Sequence, residues 1–299
     1  MGILTSSYTI NVRGRLFDLS KPQVMGILNL TPDSFYAASR MQTEEAAKKR
    51  VRQILDEGGT MIDVGACSTR PDADMASANE EKTRLRVALK AVHEEAPDAV
   101  VSVDTFRADV AKMAVEELGA DIINDISGGK MDSEMFPTVA RLGVPYVLTH
   151  LTGTLPLHAM EQGARSDGEE NVTKTVMLYF SERVQRLRDL GQKDIILDPG
   201  YGFGKTLDQN YELLANQHML QVFELPLLVG VSRKSMIFRL LGTTPDEALN
   251  GTTVLNTIAL KHGASILRVH DVKEAVEAVK LTNRLISTVN PQLKCSTLA

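Results

Sequence analysis

Short apolar runs alternate with longer amphipathic runs along almost the whole chain. The short runs, such as 61–65, 100–104 and 195–198, are apolar at nearly consecutive positions rather than at every second one. That is the pattern of strands buried on both faces, as a parallel sheet covered by helices requires. The longer runs space their apolar residues three and four apart, the mark of a helix with one buried face. Paired in order they predict eight strand–helix units: 24–30 with 43–57, 61–65 with 79–95, 100–104 with 107–118, 122–126 with 133–142, 146–150 with 169–190, 195–198 with 207–217, 227–231 with 235–241, and 266–270 with 272–286. A further helical stretch, 245–262, follows the seventh unit. Thr43 suits the N-cap of the first helix, and Gly58 with Gly59 its stop. So many regular units point to a closed (β/α)8 TIM barrel, an α/β fold, ahead of an open doubly wound sheet. No glycine-rich dinucleotide turn follows the first strand. Residues 8–19 read as a hairpin closing the N-terminal end of the barrel, and residues after 290 as a frayed tail.

With 43% hydrophobic and 24% charged residues over 299 positions, the chain can bury a large core. Length alone allows one large or two medium domains. No internal stretch is rich enough in Pro, Gly or Ser to mark a linker, so 1–299 reads as a single domain. A net charge of −5 with no basic run argues against a nucleic-acid partner. Cys67 and Cys295 are too few for a disulfide framework and fit a reducing compartment. No apolar run reaches the roughly 18 residues that span a bilayer. No signal-peptide pattern opens the chain, so no membrane partner is expected and the cytoplasm is the expected location. Met1-Gly2-Ile3-Leu4-Thr5-Ser6 fits the short myristoylation pattern, which is too permissive to carry weight.

Barrel active sites lie at the carboxyl ends of the strands. Here those ends carry Asn29, Asp63, Asp104, Asn124 with Asp125, His150, Asp198, Ser232 with Arg233, and Arg268 with His270. Asp and Asn also favour turns on their own account, but a whole ring of such residues is better explained by one pocket. Asp104, Asn124, Asp198 and Lys234 could together accept from and donate to a flat nitrogen heterocycle with a guanidine-like edge. Arg268 and His270, two apart on one strand, suit an anionic group such as phosphate, with a helix start near 232–235 to assist. The alternative for Arg268 is a structural ion pair. The run Asp198-Pro199-Gly200-Tyr201-Gly202-Phe203-Gly204-Lys205-Thr206 is not a P-loop, because Pro199 stands where the first glycine is needed. Its glycines instead permit a tight turn close to a ligand. The 6 histidines include no close metal-binding pair, and Cys67 has no cysteine neighbour, so a zinc site is not expected.

Several segments together resemble the dihydropteroate synthase family. They are Met25-Gly26-Ile27-Leu28-Asn29-Leu30-Thr31-Pro32-Asp33-Ser34-Phe35, Ser68-Thr69-Arg70-Pro71, Ser102-Val103-Asp104-Thr105, Asn124-Asp125-Ile126-Ser127-Gly128-Gly129, the 198–206 run, Ser232-Arg233-Lys234-Ser235, Gly251-Thr252-Thr253 and Arg268-Val269-His270-Asp271. Each is modestly specific; their order, one after nearly every strand, is very specific. The resemblance implies a folate-pathway transferase and sulfonamide target. Such an enzyme joins 4-aminobenzoate to a dihydropterin carrying a hydroxymethyl diphosphate and releases pyrophosphate. It further implies a pterin pocket at Asp104, Asn124, Asp198 and Lys234, with Asn29 as a ligand of Mg2+. Diphosphate contacts would come from Arg268 and His270, with Thr69 and Arg70 on a mobile loop, while Phe203, Pro71, Phe35 and Ser235 would frame the aminobenzoate. Among these, Asp198, Lys234, Arg268 and His270 are expected to act on the reaction itself. A homodimer through the late helices is implied too.

The chain departs from the family in places. Tyr36-Ala37-Ala38-Ser39 stands where Ser-Asp-Gly-Gly is usual, Cys67 replaces a glutamate, and Leu148-Thr149-His150-Leu151 ends a strand where methionines are common. A pterin-binding methyltransferase domain that serves a corrinoid protein would share Asp104, Asn124 and Asp198. The aminobenzoate loops and Ser232-Arg233-Lys234-Ser235 argue against it. A Schiff-base aldolase would need Lys234 or Lys205 held in apolar surroundings.

Overall fold

The computed structural model describes residues 8–29, 40–66, 76–153 and 171–289. The calls on the 30–39 loop, on Cys67 and on the tail after 290 lie outside them. Two short strands, β1 (Thr9–Val12) and β2 (Arg15–Asp18), form an antiparallel hairpin. Arg13 and Gly14, its two turn residues, both have positive φ, at 52° and 76°, as tight hairpins prefer. Eight parallel strands then follow: β3 (Gln23–Asn29), β4 (Met61–Gly65), β5 (Val100–Asp104), β6 (Ile122–Asp125), β7 (Tyr146–Thr149), β8 (Ile195–Asp198), β9 (Leu227–Val229) and β10 (Ala264–Val269). They close in chain order, with β10 pairing back onto β3, into the expected barrel.

The helices between them are α1 (Arg40–Asp56), α2 (Ala78–Glu95), α3 (Ala108–Glu116), α4 (Met135–Leu142), α5 (Val172–Asp189), α6 (Leu207–Ala215), α7 (Ser235–Leu241), α8 (Leu249–Lys261) and α9 (Val272–Val289). Side-chain caps set several starts. Ser77 and Glu80 form a reciprocal capping box ahead of α2, and Thr206 and Gln209 do the same ahead of α6. The Asn171 side chain accepts from the Lys174 N–H, so α5 starts at Val172, three residues later than the pattern predicts. The stretch read as one helix over 245–262 is two pieces. Thr244 and Glu247 close a separate 3-10 turn, Pro245–Glu247, before α8 begins. A 3-10 helix over Gln217–Phe223 was not expected either.

Alternation along the strands sorts side chains to two sides. Val24, Ile62, Val101, Ile123, Leu148, Leu197 and Leu267 face outward and join the helices in the main core. Met25, Met61, Val100, Ile122, Val147, Ile196, Leu228 and Ile266, one from each strand, meet inside as an apolar floor. Ile10, Val12 and Leu19 of the hairpin seal this floor from the N-terminal side. Arg13 ties the plug in place: Nε and Nη2 donate to Asp121 at 2.7 and 2.8 Å, and Nη1 to the Pro97 carbonyl at 2.9 Å.

Candidate active site

Two residues beyond the apolar floor, the inward positions change character. They become Ile27, Asp63, Ser102, Asn124, Thr149, Asp198, Gly230 and Arg268. Buried polar groups normally have hydrogen-bond partners, yet Ser102 Oγ, Asn124 Oδ1 and Thr149 Oγ1 are buried without one. Three orphaned polar atoms on neighbouring strands mark the base of a ligand slot that opens at the carboxyl ends.

Arg268 lies across this slot. Its Nε donates to Asp63 Oδ2 at 2.6 Å and its Nη2 to Asp104 Oδ2 at 3.0 Å. Burial works against the guanidinium charge, but Asp63 and Asp104 outweigh it and raise the pKa. Asp104 itself is pushed upward, by burial first, with Asp63 adding to the rise and Arg268 opposing it. The Asn124 amide nitrogen faces Asp63, 3.4 and 3.3 Å from its two oxygens. Thus Asp104 and Asn124, read from the sequence as one pocket, and Arg268, read as part of an anion site, share one wall through Asp63.

The opposite corner is built by the glycine-rich turn after β8. Asp198 Oδ1 accepts from the Gly200 N–H at 2.8 Å. Gly200 has φ +69°, and a Cβ there would come within 2.0 Å of the His150 carbonyl oxygen, so glycine is required both for conformation and for space. Burial raises the Asp198 pKa, with Lys234 pulling it back. Burial likewise lowers Lys234 to about 8, with Asp198 opposing the fall. The Lys234 ammonium donates to the Tyr201 carbonyl and sits 4.2 Å from the centre of the Phe203 ring, a cation–π contact. Phe203 packs on Ile126 and Leu151. Lys205 is a brace for this turn: it reaches the carbonyls of Gly200, His150 and Phe203 at 2.8, 3.3 and 3.4 Å. Burial lowers it to about 7.

At the rim, His270 is paired with Ser232. The His270 backbone N–H donates to Ser232 Oγ at 3.1 Å, and Oγ also lies 3.1 Å from His270 Nδ1. These two contacts fix the orientation of the His270 ring at the mouth of the barrel. Ser235 is the first residue of α7.

Not every polar strand end reaches the slot. Arg233, in left-handed backbone at φ 55°, turns away and forms a bidentate pair with Asp271 at 2.9 and 2.8 Å. Asp125 faces outward and serves the loop after β6, accepting from Ser127 and Gly129 backbone N–H groups and from the Tyr146 hydroxyl. His150 also faces outward, edge-on to Tyr179 with centroids 4.7 Å apart. Burial, then Lys205 and Lys130, lower it to about 2, so it is a neutral core histidine. Phe35, Thr69, Arg70 and Pro71 lie outside the described residues. Sequence reasoning gave Asp63 no partner and left Ser232 without a role; a carboxylate in register with inward Met61 was the available signal for the first.

Asn29 ends β3 and is exposed at the mouth. Its Oδ1 lies over Gly65 on the next strand, where a Cβ would come within 2.4 Å of it. Among the described residues no group of three or more His, Cys, Asp or Glu could hold a metal ion. An exposed amide oxygen is a donor of the hard type that Mg2+ takes beside its waters and substrate phosphate oxygens, so Asn29 is compatible with that ion.

Comparison with known proteins agrees with this geometry. A family model described as pterin binding enzyme matches residues 25–270. The dihydropteroate synthase of Escherichia coli strain K12 is 40% identical over 277 residues, which cover 92% of this chain and 95% of that protein. A crystal structure of Yersinia pestis dihydropteroate synthase with a sulfonamide drug complex superimposes with a TM-score of 0.84 at 38% identity, covering 94% of this chain and 100% of that one. The Xanthomonas albilineans enzyme in complex with 7,8-dihydropteroate gives 0.79 at 29% identity, covering 93% and 98%. Among the described residues no helix is long and apolar enough to cross a membrane. The slot, the barrel that carries it and these relatives agree: the chain belongs to the pterin-binding enzyme family, with the dihydropteroate synthases.

Proposed function

We propose that this chain is a dihydropteroate synthase, a transferase that joins 6-hydroxymethyl-7,8-dihydropterin diphosphate to 4-aminobenzoate. The observation that carries the reading is the gathering of Asp104, Asn124, Asp198 and Lys234 around one slot whose base holds orphaned polar atoms. A pterin offers donors for the carboxylates and for Asn124 Oδ1, and a carbonyl or ring nitrogen for Lys234. In the reaction the bond from the exocyclic methylene carbon to the diphosphate oxygen breaks. The aminobenzoate nitrogen bonds to that carbon, and a proton leaves the nitrogen. Departure of diphosphate places positive charge on the pterin, so the protein chiefly positions and stabilises charge. Asp198 anchors the ring and favours that charge. Arg268 and His270 receive the departing anion. No covalent nucleophile is required; Lys205 is already tied to three main-chain carbonyls. Asn29 would hold Mg2+ on the diphosphate, and the ion when bound would neutralise leaving-group charge. Phe203 and Ser235, with Phe35, Thr69, Arg70 and Pro71, complete the reading as contacts for the aminobenzoate and the diphosphate.

A homodimer is part of this proposal. Leu240, Leu241, Val254, Leu281 and Leu285, each at least half exposed, all lie on α7, α8 and α9, which pack side by side. Light scattering should give twice the chain mass of 32.7 kDa. The function is tested by incubating the protein with pterin diphosphate, labelled 4-aminobenzoate and Mg2+. Labelled dihydropteroate and pyrophosphate should form, and chelation should stop them. A folded protein that gives no product under any metal condition would refute the reading.

A further inference from the structure

Asp63 stands in the middle of β4, wholly buried, and faces into the barrel just above the apolar floor. It binds Arg268 Nε at 2.6 Å and faces the Asn124 amide nitrogen at 3.3 and 3.4 Å. We propose that Asp63 is a positioning residue of the ligand slot, fixing which end of Asn124 faces the pterin and tethering Arg268 while its other partner is exchanged. The proposal deepens the reading of the slot as a pterin site and rests on it.

The two ends of an amide side chain are nearly alike in shape and opposite in hydrogen-bonding sense. A neighbouring carboxylate attracts the NH2 end and repels the oxygen. Asn124 Oδ1 is therefore turned away from Asp63, and it is buried without a partner. A ring N–H of the ligand supplies what it lacks. For Arg268 the argument concerns charge. Its guanidinium is shared between Asp63 and Asp104. When a ring donor claims Asp104, an arginine with no second carboxylate would be left buried with its charge uncompensated. Asp63 keeps the Nε contact, so the Nη nitrogens can move toward the diphosphate without that penalty. Asp63 has this reach because alternation sends Met61, Asp63 and Gly65 inward, while barrel closure brings β10 round to β3, beside β4.

The test is a double-mutant cycle read by calorimetry with pterin diphosphate and by steady-state kinetics. Asp63→Asn keeps the shape and removes the charge. It should weaken pterin diphosphate binding about tenfold or more, since hydrogen bonds to a buried charged group are lost and Asn124 is free to flip. The KM for 4-aminobenzoate at saturating pterin diphosphate should hardly move. In an Asn124→Ala background the same change should have an effect smaller by roughly threefold or more, because coupled residues are not additive. Additive effects, or a lower unfolding midpoint with unchanged pterin affinity, would overturn the proposal. Should Asp63→Asn not fold, Asp63→Ser carries the same cycle. Wild-type turnover tests the reaction separately: if the wild type binds pterin diphosphate but makes no product, the cycle still decides on Asp63 by binding alone. A wild type that binds no pterin would overturn both.

Discussion

Asp198 and Lys234 face each other across a corner where burial opposes both charges. Each is kept by the other and by main-chain groups, and a pterin would add donors for the one and an acceptor for the other. Asp198→Asn keeps the size but places an amide NH2 where the ring presents donors. Binding of pterin diphosphate should weaken by about 1–3 kcal/mol, the cost of an unpaired polar group, while the unfolding midpoint stays near that of the unmutated protein. Wild-type kinetics in this variant would mean that Asp198 serves the turn alone. Lys234 makes a pH prediction. Its pKa is lowered from the ordinary lysine value to about 8 by burial, so it carries its charge below that pH and loses it above. A ligand oxygen or nitrogen that accepts from the ammonium binds the protonated form. Affinity for pterin diphosphate should therefore be level below pH 8 and fall above it, approaching about tenfold per pH unit for one linked proton. In Lys234→Gln the fall should disappear and the affinity should be uniformly weaker. A titration in which wild type and variant fall together would assign the pH effect elsewhere.

The turn after β8 is the element on which the corner depends. Gly200 holds a left-handed conformation and gives its N–H to Asp198, while its missing side chain leaves room for the His150 carbonyl. Gly200→Ala should cost about 1–3 kcal/mol for the backbone strain alone, and the contact at 2.0 Å must be relieved by moving the turn. Urea unfolding should report the lost stability. The KM for pterin diphosphate should rise with it, because the turn carries Asp198 at one end and Phe203 and Lys205 at the other. Stability lost with an unchanged KM would uncouple the turn from the slot.

Over the whole molecule the barrel separates stability from chemistry by height. The hairpin plug packs against the floor at one end, and the polar slot opens at the other. Ile10, 1% exposed, sits in the plug. Ile10→Ala should destabilise the protein by about 2–5 kcal/mol, as other large-to-small core changes do, and leave the KM values of the folded fraction within roughly twofold, since distant sites act independently. Thermal unfolding and kinetics on the same preparation check this. A large KM change would mean that the plug transmits to the slot.

The sequence by itself determined the strands, the helices and the two-sided burial, because these follow from patterns within a few residues. The expected order of units, the closed barrel and the hairpin at its base all appear, with errors at ends where a side-chain cap such as Asn171 or Thr244 competes with the apolar pattern. Motif resemblance went further and named the residues of the slot. Tertiary structure alone decided which neighbours in a strand-end pair look inward: Asn124 but not Asp125, Lys234 but not Arg233. It also decided who partners whom. Asp63 and Arg268 are 205 positions apart in the chain and 2.6 Å apart in the barrel. No local pattern encodes such a pair. It exists because strands of fixed spacing, twisting in one sense, must meet again when the sheet closes.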